Sequence, residues 1–165
     1  MTEIAGSRPG RPIVVLRHFR ERDRDFFATL AQDERVTRFV GNGQPWTADQ
    51  IEERTLPALR QDPSGQLGAA RWFIAEWEGE AVGVFVSTRR EDAIEIGYWV
   101  APQHWGRGLA GAILDSALEA LPSIFGTLRY FARVSPDNTA SVRALTRRLF
   151  EYKEHLDGLD VYSQG

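Results

Sequence analysis

The stretch from Ile94 to Leu121, IEIGYWVAPQHWGRGLAGAILDSALEAL, leaves the fewest folds open to this chain. Ile94 to Val100 is dense in β-branched and aromatic side chains and reads as a strand, stopped by Ala101 and Pro102. Gln103 to Gly108 follows, with glycines at Gly106 and Gly108. Leu109, Ala112, Ile113, Ser116, Ala117 and Ala120 then recur near helical spacing, which predicts an amphipathic helix ending at Leu121-Pro122. Strand, glycine turn and helix N-terminus together can turn backbone N–H groups toward an anion. The glycines let that backbone approach with no Cβ in the way, and Arg107 adds a positive charge. Glycines before a helix also serve ordinary turn chemistry, so this stretch alone leaves both readings open.

Two familiar phosphate-binding folds do not fit. Gly106, Gly108 and Gly111 match the Gly-x-Gly-x-x-Gly spacing of dinucleotide folds. Such a unit, however, usually opens its domain and is followed about 20 residues later by an acidic residue ending the next strand. Here the match lies past the middle of the chain, and the next strand, Arg129 to Val134, has no acidic residue at its end. No Gly-Lys-Ser/Thr occurs, which excludes a Walker loop.

Residues 1–12, with glycine, serine and two prolines, read as a flexible lead-in to a single domain over residues 13–165. Ile13 to Arg17 is the expected first strand. A helix should begin near Arg24, capped by Asp23, with Phe26, Phe27 and Leu30 on its apolar side. Thr47 followed by Gln50 has the form of a capping box, opening a helix to about Arg60 with Ile51, Thr55, Leu56 and Leu59 on one side. Trp72 to Trp77 and Ala81 to Thr88 read as strands joined by a tight turn at Glu78-Gly79-Glu80. Leu128 to Val134 alternates as a strand broken by Pro136, and Asn138 or Thr139 can cap a helix carrying Val142, Leu145 and Leu149. Tyr152 to Leu156 and Leu159 to Ser163, joined by Asp157-Gly158, predict a closing hairpin.

The chain has 165 residues, enough for one domain with a real core. A net charge of −3 gives no reason to expect nucleic-acid or membrane partners. No apolar run is long enough to span a bilayer, and the N-terminus lacks the apolar core of a signal peptide, so a cytoplasmic protein is expected. With no cysteine there is no disulfide, thiolate ligand or cysteine nucleophile, and the scattered His18, His104 and His155 predict no metal site.

Gln103-His104-Trp105-Gly106-Arg107-Gly108 resembles the Gln/Arg-x-x-Gly-x-Gly/Ala signature of the GNAT superfamily of N-acetyltransferases. Gly97 to Pro102, Trp105 to Ala110, and Pro136 to Leu145 are similar to the branch that acetylates ribosomal-protein N-termini and its relatives. With element order included, the resemblance covers about Ile13 to Tyr162. It implies an α+β fold: a mostly antiparallel, splayed central sheet of six or seven strands flanked by about four helices. It also implies transfer of an acetyl group from acetyl-CoA to a primary amine by direct attack in a ternary complex. The alternative is a CoA-binding sensor or assembly module without catalysis. No metal is implied, and family members are often dimers, so a homodimer is a possible assembly.

The resemblance carries roles onto particular residues. Gln103, His104, Trp105, Gly106, Arg107, Gly108, Leu109 and Ala110 would cradle the pyrophosphate, with Trp99 and Val100 beside the cofactor and the backbone N–H around Val100 on a carbonyl. Asn138 would contact the pantetheine arm, although its local sequence explains it equally as a helix cap. Ser141 would stand near the sulfur and stabilise the leaving thiolate; no tyrosine follows one turn later, which leaves Ser141, Tyr152, Tyr162 or solvent for that task. Glu95 is the candidate base, ahead of Glu76 and Asp92, and is equally readable as an exposed strand carboxylate. His104 is expected at the surface and Trp105 packed on the following helix. Asp33, Glu34, Asp49, Glu52 and Glu53 are placed to make an acidic acceptor cleft or a solvated helix face. The family's Leu-Gly-Phe is Arg148-Leu149-Phe150 here, and since leucine takes a left-handed backbone poorly, a different helix exit is expected.

Overall fold

The computed structural model describes residues 12–40 and 42–165; most of the expected lead-in lies outside them. The strands β1 (Val15–His18), β2 (Ala70–Trp77), β3 (Glu80–Arg89), β4 (Ala93–Val100), β5 (Arg129–Val134), β6 (Glu151–Leu156) and β7 (Leu159–Gln164) form one sheet in the order β1-β2-β3-β4-β5-β7-β6. Neighbours are antiparallel except β4 and β5. The helices are α1 (Arg24–Ala31), α2 (Glu34–Thr37), α3 (Ala48–Arg60), α4 (Leu109–Phe125) and α5 (Thr139–Thr146). This is the α+β architecture expected, with one more helix because α2 interrupts the segment between α1 and α3.

Each face of the sheet buries a different helical layer. Ile94 and Ile96 of β4 join α4 (Leu109, Ile113, Leu114, Leu121) and α5 (Leu145) in one cluster. Val84 of β3 and Trp99 of β4 join α1 (Phe27, Leu30) and α3 (Ile51, Ala58) in the other. Strand alternation divides β4 between the two layers, with Tyr98 and Val100 on the α4 side and Trp99 on the α1 side.

The functional consequence lies in the parallel pair. β4 and β5 are in register from Ala93↔Arg129 to Ile96↔Ala132 and no further. Gly97 to Val100 stay paired with β3 while β5 leaves them to continue with β7. A gap therefore opens in the middle of the sheet. Ala101 N–H donates to the Val82 carbonyl of β3 at 2.8 Å. By antiparallel alternation, the Val100 N–H one residue earlier faces the gap.

Several local expectations hold, and a few need correction. Thr47 and Gln50 make both bonds of the capping box, at 3.2 and 2.9 Å. The buried face of α3 is Ile51, Thr55 and Ala58, so Leu56 turns outward, 45% exposed. Asp23 does not cap α1 with its side chain. It is buried, accepts both Arg17 guanidinium bonds at 2.9 Å, and accepts the Arg20 N–H at 2.8 Å. Burial pushes its carboxyl up, but these donors outweigh burial and hold it below the ordinary value. Pro122 does not end α4, which continues to the buried Phe125. A single missing donor is offset by burial of that last turn, and Gly126, at φ +80°, makes the exit.

The exit of α5 also differs from expectation. Phe150 N–H donates to Leu145 O at 3.1 Å and Leu149 N–H to Thr146 O at 3.2 Å, the paired bonds of a Schellman motif. Leu149 therefore sits at the glycine position and takes φ +68°, its side chain 77% exposed. The geometry is kept and leucine bears the strain. Because that side chain buries little, Leu149→Gly is expected to raise stability by about 0.5–1 kcal/mol, the relieved left-handed strain exceeding glycine's extra chain entropy. Urea unfolding would check it, and a loss of stability would show that the leucine packs usefully.

Candidate active site

The gap between β4 and β5 opens into a cleft of about 710 Å³. One wall comes from the loop after β4, the start of α4, and α5; the other from α2 and the residues after it. Tyr98, Trp99 and Val100 line the cleft between them.

The loop is shaped by short contacts. His104 N–H donates to Ala101 O at 2.9 Å and Trp105 N–H to Pro102 O at 3.1 Å, closing a 3₁₀ turn over Pro102–His104. The Trp105 indole is 46% exposed, and its N–H donates to the Val100 carbonyl at 2.8 Å. It thus ties the loop to the end of β4. His104 is buried, with Nε2 at 2.6 Å from a Glu80 carboxylate oxygen and Nδ1 at 3.3 Å from Arg107. Arg107 also lies 5.4 Å from the Trp77 ring centroid. His104 is therefore part of the loop's support, not a surface residue.

Gly106 and Gly108 have φ +82° and +75°, where a side chain would be strained, and no atom lies near where their Cβ would be. The first helical bond of α4 runs from Ala112 N–H to Gly108 O at 3.2 Å. The N–H groups of Leu109, Ala110 and Gly111 precede it, in the helix's first turn, and these residues line the cleft. The positive end of a 17-residue helix thus faces the same space. Gly111, the third glycine of the dinucleotide-like spacing, has another task. A Cβ there would strike the Arg148 guanidinium. Arg148 donates to Asp115 at 2.8 and 3.2 Å and to Ala144 O at 3.0 Å, locking α5 onto α4.

On α5, the Asn138 side chain accepts the Ser141 N–H at 3.2 Å, so it caps the helix while lining the cleft. That cap sets Ser141 Oγ 2.7 Å from the Tyr98 hydroxyl. Burial raises the Tyr98 phenol to about 12, opposed by the Ser141 hydrogen bond and the Arg148 charge. Tyr98 is thus protonated at neutral pH. Its place was legible only indirectly, from sharing strand parity with Val100.

The cleft brings together the expected Trp99, Val100, His104, Trp105, Gly106, Arg107, Gly108, Leu109, Ala110, Asn138 and Ser141. Gln103 is exposed on the 3₁₀ turn and does not line it. Glu95 is outside it as well. One Glu95 oxygen accepts from Arg90 at 3.0 Å and the other from Arg133 at 2.8 Å, which engages the carboxylate across the paired part of β4 and β5. Glu76 pairs with Arg17 and Asp92 with Arg129, also outside the cleft. Tyr152 and Tyr162 meet edge to face at 5.8 Å in the closing hairpin and do not line the cleft. Asp33, Glu34, Asp49, Glu52 and Glu53 line no part of it either. Asp33 caps α2 and holds Arg35, and Asp49, Glu52 and Glu53 are exposed on α3.

Comparison with known proteins gives the same outline. Residues 14–150 match the acetyltransferase (GNAT) domain family. The uncharacterized N-acetyltransferase YoaA of Bacillus subtilis (strain 168) is 29% identical over 159 residues, covering 92% of this chain and 86% of its own. The aminoglycoside acetyltransferase AAC(6')-Ib, solved with ribostamycin and coenzyme A, superposes with a TM-score of 0.75 at 20% identity, over 91% of each chain. RimL, the ribosomal L7/L12 α-N-protein acetyltransferase, solved with coenzyme A, gives 0.74 at 18% identity, over 92% of this chain and 93% of its own. These two likenesses show the fold. The family match, running from the approach to the first strand to the end of the Schellman exit, shows more: the chain belongs to the GNAT acetyltransferase family and is an acetyl-CoA-dependent acyltransferase.

Proposed function

We propose that this protein transfers the acetyl group of acetyl-CoA to a primary amine within the cleft between β4 and β5. The observation that carries the reading is the convergence of three features on one space: the glycine loop with the α4 N-terminus, the Val100 N–H turned into the gap beyond the end of the β4–β5 pairing, and the Tyr98–Ser141 hydroxyl pair. The residues present fit the cofactor. Gly106, Gly108 and the first N–H groups of α4 would hold the pyrophosphate, with Arg107 beside them. Asn138 would border the pantetheine arm. Bound acetyl-CoA supplies a thioester whose carbonyl carbon accepts the amine and whose sulfur departs as thiolate.

The chain's own groups do the rest. The Val100 N–H donates to the carbonyl oxygen, where negative charge gathers during attack, and the β3 pairing holds that donor still. Ser141 would donate its hydroxyl proton to the departing sulfur as Tyr98 passes its own to Ser141; the phenol, which burial keeps protonated at rest, then regains a proton from water, balancing the one the amine loses. Glu95 serves as a tie between Arg90 and Arg133, and the amine gives its proton to water.

Thermal unfolding with acetyl-CoA tests the reading, with ATP and NAD as controls. At a hundredfold excess over its dissociation constant, acetyl-CoA should add about 2.7 kcal/mol to the folded state, and roughly 5–10 °C to the melting temperature of a domain this size. Stabilisation by ATP or NAD instead would point to an ordinary nucleotide binder. No response to acetyl-CoA would remove the basis of the proposal.

A further inference from the structure

We propose that the acceptor is a primary amine bearing a carboxylate near the nitrogen, held by Arg38, and not a polycation. This rests on the reading of the cleft as an acetyl-CoA site. If the cofactor's phosphates lie on the loop and α4, the thioester enters the gap from that wall. The amine must then approach from the other wall, formed by Arg35, Val36, Arg38 and Phe39. α2 packs on α1, in the opposite helical layer from α4 and α5.

The charge on that wall is one-sided. Arg35 donates to both Asp33 oxygens, at 3.0 and 2.7 Å, and that pair is neutral in sum. Arg38 has no ion pair with a carboxylate among the described residues. Its guanidinium lies 4.4 Å from the Phe39 ring centroid, which holds the side chain along the wall and leaves its N–H edges for a ligand. Asp137 is the only carboxylate lining the cleft among the described residues, and it stands before α5 on the cofactor wall. A polyamine or aminoglycoside would meet an uncompensated arginine and no acceptor-side carboxylate. A carboxylate would gain a planar, charge-assisted partner. Free acidic amino acids and peptides with acidic residues after the N-terminus both present that chemistry.

The test measures CoA release at saturating acetyl-CoA with four acceptors: aspartate, a peptide beginning Ser-Asp-Glu, spermidine and kanamycin. At least one anionic acceptor should show kcat/KM ten times or more that of either cation, and the better one identifies the source. Its rate should fall with added salt. Arg38→Glu should lower the anionic rate at least tenfold, Arg38→Gln should fall between, and acetyl-CoA stabilisation should be unchanged in both. Preference for spermidine or kanamycin overturns the inference, as does an equal effect of Arg38→Glu on both classes. Turnover of no acceptor alongside intact acetyl-CoA stabilisation also overturns it while the cofactor reading stands. Loss of that stabilisation in the unaltered protein would instead sink the cofactor reading.

Discussion

Ser141→Ala is expected to lower kcat by about 100-fold with little change in KM, because it removes the proton donor proposed to act when the thiolate leaves. Tyr98→Phe should produce a loss of the same order. The two hydroxyls are 2.7 Å apart, and in the proposed mechanism they act as one relay, so the double variant should be little worse than the poorer single one. Multiplying losses would mean that the hydroxyls work independently. Unchanged kcat in Ser141→Ala would transfer the role to solvent. The pH profile adds a separate check. With the phenol at about 12, no alkaline loss from Tyr98 should appear below about pH 10, and kcat/KM should rise until the acceptor amine is fully neutral. Glu95→Gln should keep that rising limb; its disappearance would restore Glu95 as the base.

Gly83→Ala should cost about 2–3 kcal/mol of stability and most of the activity that survives. Gly83 faces Val100 across the β3–β4 ladder, at a non-hydrogen-bonded position where the two strands approach most closely. A Cβ there would run into the Trp99 carbonyl oxygen, with the Ile113 side chain 3.2 Å away. The obstacle is backbone, so no rotamer change relieves it. Either β3 or the end of β4 must move, and the Val100 N–H moves with it. Urea unfolding measures the first effect, and turnover by the remaining folded protein the second. A change under about 0.5 kcal/mol would show that the sheet yields at this point more easily than backbone packing allows.

Much of this was legible along the chain because the signals are local. The capping box at Thr47 and Gln50, the Asp157-Gly158 hairpin, the strand into Val100 and the glycine loop each depend on residues within a few positions of one another. Steric limits on φ and the two-residue and 3.6-residue repeats act at that range. Even the Asn138 cap, which orients Ser141, is written in one turn of sequence.

Other features depended on distant groups meeting. Glu95 looks like a base on its strand, but Arg133 arrives from β5, 38 residues later, and takes one of its oxygens. Leu149 reads as a misfit for a left-handed position, yet packing of Phe150 into the core holds the helix exit in place. Gly111 looks like part of a phosphate motif until Arg148 is seen lying over it. Fold class, element order and the loop beside α4 could be read along the chain, because each follows from short-range geometry. Which charges are already paired, that Tyr98 stands against Ser141, and that Arg38 and not an acidic cluster lines the far wall emerge once the chain is folded. Charge and proton transfer depend on through-space distance, which strand register and helix packing set, and linear spacing does not.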